Sequence, residues 1–248
     1  MPILCRLRNG DIAVVKYWRN RFGVRVLLNE FIGNKIAEEI GLTIPKYGLC
    51  HLSKEVIFET DTYGELEADN EGIGVYSKYI SATTPVTIGI LSEISNHQAE
   101  LLLLFDYIVN NKDRHKGNLL IDLSNAPRMV SIDNSHILLS SKREKHRALT
   151  DRFEAARELS TAIYLENRKI YDKLAFGLGF NNIKLIEEAE RIKKVLDEGW
   201  IGELFSLIPE EWIVENMCDE IKAMRATISY RVKKLREIVD IIIEERGR

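Results

Sequence analysis

Two short, largely apolar runs, residues 3–8 and 12–17, flank Asn9-Gly10. Short apolar runs of this length read as strands, and Asn-Gly between them is a strong hairpin signal, so Lys16 falls late on a second strand. From 24 to 40 the pattern changes: Val24, Leu27, Leu28, Phe31, Ile32, Ile36, Ala37 and Ile40 recur at helical spacing, and Gly41 supplies a stop. Glu30 sits beside this stripe on the second turn. Strands are expected at 47–51, 56–60 and 75–80, with an acidic, glycine-containing surface loop at 61–71 and a connection at 81–85.

Beyond 85 the pattern is mainly helical. Leu101, Leu102, Leu104, Phe105, Ile108 and Val109 predict an apolar helix over 98–110, placed to support the loop that follows. Short apolar runs at 119–121 and 129–132, separated by the turn-prone 122–127, predict two more strands. Helices are expected at 153–165 and 183–196. A last long helix carries Met217, Ile221, Met224, Ile228, Val232, Leu235, Val239 and Ile242 at steps of three and four. That stripe reads as a packing face, with a dimer seam as the alternative. The fold class is therefore α+β: a small mixed β/α lobe over 1–84 and a mainly helical lobe over 85–248.

Composition narrows the setting. The 248 residues are 45% hydrophobic and 29% charged, enough to bury a substantial core, and a net charge of -3 offers no global basic footprint for nucleic acid. Cys5, Cys50 and Cys218 are scattered and lack C-x-x-C spacing, which favours reduced thiols over a disulfide frame or a zinc site. No apolar run approaches the ~20 residues that span a bilayer, and the amino terminus lacks a charged region followed by an apolar signal core. A cytoplasmic chain without membrane contact is expected.

The chemistry concentrates between 105 and 139, where Asp113, Asn118 and Asp133 are spaced like a catalytic base and two magnesium ligands. Phosphoryl transfer needs a carboxylate beside the acceptor hydroxyl and hard oxygen ligands for the metal that neutralises the phosphates. Asp113 and Asn118 keep the D-x-x-x-x-N spacing of kinase catalytic loops, and Asp133 follows the buried run Met129-Val130-Ser131-Ile132. Any one of these acids alone would read as a turn former; together, with strands between them, they read as one site. His115 is a candidate phosphate contact, or a loop histidine held by hydrogen bonds. Lys16 and Glu30 match a strand lysine that grips phosphates and the helix glutamate that braces it.

At these residues the chain resembles the HipA-like kinases, in particular their compact bacterial group. The likeness runs through Lys16 with Asn29-Glu30, Gly41-Leu42-x-Ile44-Pro45, and Gly74 to Ile80. It continues through the Asp113 to Asp133 motif, Ile208-Pro209-x-Glu211-Trp212 and Arg231 to Leu235, nearly the whole chain. The resemblance implies a two-lobed protein-kinase-like fold, ATP and Mg2+ as cofactors, transfer to a protein serine or threonine, and adenine contacts from the backbone of Lys78, Tyr79 and Ile80. Asp113-Arg114-His115 is also a spelling of phosphoinositide lipid kinases, which keeps a small-molecule or lipid acceptor open. Only one strand and the Asn9-Gly10 turn precede Lys16, so no glycine-rich phosphate cover is visible, and a nucleotide-binding pseudokinase acting as a regulatory scaffold is the second alternative. A protein substrate or a small-molecule acceptor is the expected partner, with a homodimer or a regulatory partner as the further alternatives. The basic stretch at 140–150, with Lys142, Arg143, Lys145, His146 and Arg147, lies where an activation segment would and reads as a solvated loop or a site for an acidic partner.

Overall fold

A computed structural model describes residues 2–18, 23–54, 71–95, 98–138, 153–154, 156–214 and 217–248. The expected strand at 56–60, nearly all of the acidic loop, and the basic stretch at 140–150 lie outside the described residues. The first sheet is antiparallel, in the order β1 (Ile3–Arg6), β2 (Ile12–Lys16), β4 (Gly72–Lys78), β3 (Tyr47–Leu52). α1 (Arg25–Glu39) packs on β4. A second, three-stranded sheet pairs β5 (Thr83–Pro85) with β6 (Leu119–Asp122) and β7 (Arg128–Ser131). The connection expected at 81–85 thus ends in a strand of the second sheet. The remainder is helical: α2 (Ile88–Leu91), α3 (Ala99–Ile108), α4 (Ala162–Leu178), α5 (Asn182–Val195), α6 (Glu198–Ser206), α7 (Met217–Lys233) and α8 (Leu235–Gly247). The fold is α+β, a small sheet region on a mostly helical body.

The first hairpin forms with a wider turn than Asn-Gly suggested. Arg6 pairs with Ile12, so residues 7–11 form the loop. Within it Leu7 N–H donates to Asp11 O at 2.8 Å, and Asn9 Oδ1 accepts from Asp11 N–H at 3.0 Å. That side-chain turn displaces the two-residue hairpin, with Gly10 supplying φ of 87°. In the register of β2 and β4, Lys16 lies opposite Val75. Next to it a Cβ on Gly74 would stand 2.6 Å from the Lys16 carbonyl oxygen, so only glycine lets the two strands approach there.

One continuous core joins α1 to the helical body, and every residue of α3 is buried. Two expectations change. The helix expected at 153–165 is interrupted at 158–161, because the Arg231 guanidinium takes the carbonyls of Ala156 and Glu158. α4 begins at Ala162 and runs on to Leu178, where Gly179 at φ 69° ends it. The last stripe is two helices, because at Lys234 the N–H is shared between the Tyr230 and Arg231 carbonyls and the turn tightens. Its residues Met224, Ile228, Val232, Leu235, Val239 and Ile242 are buried inside the chain and present no free seam.

The carboxyl-terminal half also grips α1 from behind. Trp212 is fully buried, its ring packs edge-to-face with Phe31 of α1 at 5.9 Å between centroids, and its Nε1–H donates to Ile73 O on β4 at 3.0 Å. Arg25, at the start of α1, pairs with the buried Glu220 of α7 through both carboxylate oxygens. Trp212→Ala removes the ring that fits α1 to β4 and should cost about 3–5 kcal/mol of stability. Urea unfolding followed by circular dichroism measures that loss.

Candidate functional site

Lys16 ends β2 with its side chain turned inward, and its ammonium meets three acceptors. Nζ lies 2.8 Å from Glu30 Oε2 of α1, 2.8 Å from Asp133 Oδ1 and 2.6 Å from Ser135 Oγ. The side chains of Lys16 and Glu30 are 12% and 4% exposed, so each charge depends on its partner in place of water. Burial works against the charged ammonium, but Glu30 and then Asp133 outweigh it and raise the Lys16 pKa above its ordinary value. Burial likewise opposes ionisation of Asp133, yet Lys16 and the Ser135 hydrogen bonds hold that carboxyl well below the usual carboxylate range. Asp133 adopts φ of 60°, the left-handed region, which aspartate tolerates through local hydrogen bonds. Here those bonds come from the Ser135 N–H at 3.2 Å and its hydroxyl.

α1 carries the partners that seat this segment. Glu30 Oε2 also accepts from Asn134 N–H at 2.8 Å, and Asn29 Nδ2 donates to the carbonyls of Ser135 and Ile137 at 2.8 and 3.0 Å. Asn134 Nδ2 donates to Asn34 Oδ1 at 2.9 Å, one turn further along. The helix thus binds the segment after β7 through backbone as well as side chains.

The loop between α3 and β6 is held by a separate buried network. Arg114, fully buried, donates through Nε and Nη2 to Asp106 of α3, the nearest contact being 2.8 Å. Its Nη1 reaches the carbonyls of Asn118 and Ile132 at 3.1 and 3.2 Å. Asn167 and Tyr171 of α4 close the network: Asn167 accepts from Arg114 N–H at 2.9 Å and donates to Asn111 O at 2.8 Å, while Tyr171 donates to Asp106 at 2.9 Å. Arg114 is therefore structural, although it sits inside the motif.

Asn118 lies beside Asp133 because Ile132 N–H donates to Asn118 O at 3.1 Å, one step past the pairing of Leu119 with Ser131. Its Nδ2 donates to Asp113 O at 2.7 Å, which leaves Oδ1 as an acceptor. Asp133 Oδ1 already takes three donors, and its side chain is 41% exposed. Two hard oxygen donors at one end of a hairpin fit magnesium, which takes one or two protein ligands and completes its shell with phosphates and water. Among the described residues no group of three or more His, Cys, Asp or Glu could hold a metal by itself.

Asp113 is half-buried, with its N–H on Asn111 Oδ1 at 2.9 Å and its carboxylate without a hydrogen bond among the described residues. His115 is exposed, and its Nδ1 accepts from Gly117 N–H at 3.0 Å, capping a short 3-10 turn at Lys116–Asn118. Lys78, Tyr79 and Ile80 stand apart from the lysine cluster, beyond the point where β4 faces Lys16. The amides of Lys78 and Tyr79 donate to Lys46 O and Ile12 O at 2.7 and 2.8 Å, and Lys78 Nζ pairs with Asp11 at 2.7 Å. Sequence reasoning missed Ser135, Asp106, Asn167 and Tyr171. Asp106 had a signal, a lone acid inside an apolar helix face, which calls for a buried cation; Asn167 had none.

The chain matches the family model described as HipA-like kinase over residues 1–240. Among solved structures it is similar to the Helicobacter pylori proinflammatory kinase CtkA, with TM-score 0.51 and 14% identity over 100% of this chain and 95% of that one. It is also similar to HipA of Shewanella oneidensis MR-1, solved with HipB and operator DNA, at TM-score 0.48 and 10% identity over 92% of this chain and 60% of that chain. An amino-terminal fragment of LepB from Legionella pneumophila matches at TM-score 0.40 and 12% identity, over 94% of this chain and 46% of the fragment. Comparison with curated proteins returned no match. The chain belongs to the HipA-like kinases, and the likeness to CtkA carries the kinase-like fold. No helix among the described residues is long and apolar enough to cross a membrane.

Arg114→Leu leaves the Asp106 carboxylate buried without its cation and should destabilise the protein by about 3–5 kcal/mol, read from thermal or urea unfolding. For Asp133 the folded pKa lies below the ordinary 3.8, so its contribution is present above about pH 4 and is lost as pH falls towards the folded value. For Lys16 the folded pKa lies above 10.5, so its contribution is present below that pH and lost above it. The stability difference between wild type and Asp133→Asn should therefore stay level from about pH 5 to 9 and change only outside that window. Unfolding midpoints measured across pH test this.

Proposed function

We propose that the protein is an ATP- and magnesium-dependent phosphotransferase of the HipA-like type, working in the cytoplasm and moving the γ-phosphate to a serine or threonine of a protein. The observation that carries this reading is the junction at Lys16, where a strand lysine, a helix glutamate and the aspartate after β7 meet within hydrogen-bond distance. Family membership supports nucleotide and metal use in general terms.

In this reading Lys16, braced by Glu30, contacts the phosphates. Asn118 and Asp133 are the metal ligands. A bound magnesium ion would neutralise phosphate charge. Asp113 accepts a hydrogen bond from the acceptor hydroxyl and orients it for in-line attack, a role that needs a carboxylate with no competing partner. His115, exposed two residues further on, is the contact to the transferred phosphate, and the backbone at Lys78 to Ile80 faces the adenine. The small lobe spans 1–84, its last strand crossing to pair with β6, and the helical lobe spans 85–248.

Asp113→Ala should lower transfer of labelled phosphate from ATP to lysate proteins by about 10²–10⁴-fold, while ATP still raises the melting temperature of the variant. Equal transfer by the variant, or none by the wild type, would overturn the assignment. Label found on metabolites would redirect it to a small-molecule acceptor.

A further inference from the structure

A lysine ammonium has three N–H donors and no acceptor. In Lys16 all three are engaged, by Glu30 Oε2 at 2.8 Å, Asp133 Oδ1 at 2.8 Å and Ser135 Oγ at 2.6 Å. A phosphate oxygen can therefore bond to Lys16 only by displacing one of the three. Two of them are carboxylates, whose full negative charge adds Coulomb attraction to the hydrogen bond, whereas Ser135 offers only a hydroxyl dipole. Ser135 is neutral, so it is the partner that yields.

We propose that Ser135 is a latch on the phosphate site: its hydroxyl holds the third donor of Lys16, and nucleotide binding must release it. The geometry suits a reversible contact. The hydroxyl gives its single proton to Asp133 Oδ1 and receives from Lys16, so it bridges the two without adding charge. Its backbone is held independently, since the Ser135 carbonyl accepts from Asn29 Nδ2 at 2.8 Å and its N–H donates to Asp133 at 3.2 Å. The side chain can therefore rotate away while the segment stays docked on α1. Ser135 thus sets how readily Lys16 is given up to phosphate. This inference rests on the reading of Lys16 as the phosphate-contacting residue.

The test is direct titration of the full chain with ATP in the presence of EDTA, so that Lys16 and not a metal dominates the response. Wild type is compared with Ser135→Ala, Ser135→Cys and Ser135→Thr. Removing the latch should tighten ATP binding by about tenfold, the factor that one hydrogen bond to a charged group is worth. Ser135→Cys keeps nearly the same volume with a weak sulfur acceptor, so it should shift in the same direction if Ser135→Ala folds poorly. Ser135→Thr keeps the hydroxyl and should bind like wild type. Affinity in Ser135→Ala and Ser135→Cys equal to or weaker than wild type overturns the latch while leaving the kinase reading intact. Tighter binding by Ser135→Thr as well also overturns it, because the hydroxyl would not be the cause. Absence of ATP binding in every form, with or without magnesium, overturns the latch and the kinase reading together.

Discussion

A buried ammonium must be paired, and the architecture around Lys16 follows from that need. The cost of taking a lysine charge out of water is several kcal/mol unless acceptors surround it. Three surround Lys16, Glu30 from α1 and Asp133 and Ser135 from the segment after β7, so the lysine on β2 joins three elements. The first sheet, the helix behind it and the second hairpin therefore take up one mutual placement. Gly74 serves the same end by letting β4 lie close against β2 at the lysine.

A second buried cation orders the loop that presents Asp113 and Asn118. Arg114 spends its side chain on Asp106 and on the carbonyls of Asn118 and Ile132, which ties this loop to α3 below and to β7 alongside. Asn167 and Tyr171 bring α4 into the same network. The division of labour is chemical: the arginine of the motif, always charged and five-donored, serves as the internal scaffold, and the residues on either side of it remain available. Arg114 is buried between a half-buried Asp113 and an exposed His115, so neighbouring residues of one short loop face different environments.

Much of this was legible along the chain. The stripe from Val24 to Ile40 became α1, the apolar run before Asn110 became α3, and the two short runs around Asp122 to Pro127 became β6 and β7. The spacing of Asp113, Asn118 and Asp133, with Lys16 and Glu30 far upstream, pointed to phosphoryl-transfer chemistry, and family membership agrees with a kinase. These signals are local or periodic, and local signals survive without knowledge of the partner. Two readings failed, one for a distant cause and one for a side-chain competition within the turn. The break at 158–161 is caused by Arg231, more than seventy positions away, and the wider first turn by the Asn9 side chain competing for a backbone amide.

Periodicity and residue type, being properties of short stretches, placed most of the helices and strands, the α+β character and the charged groups. The pairing of Lys16 with Glu30 was expected, but it took the fold to bring Asp133 and Ser135 onto the same ammonium. Lys16 and Asp133 are separated by 117 positions and Lys16 and Ser135 by 119, and no pattern of spacing links them. Their contact is dictated by desolvation: once β2 and α1 close over the lysine, the free energy of the buried charge selects the acceptors that fold back to it. For the same reason Ser135, unremarkable in the chain, stands at the centre of the site.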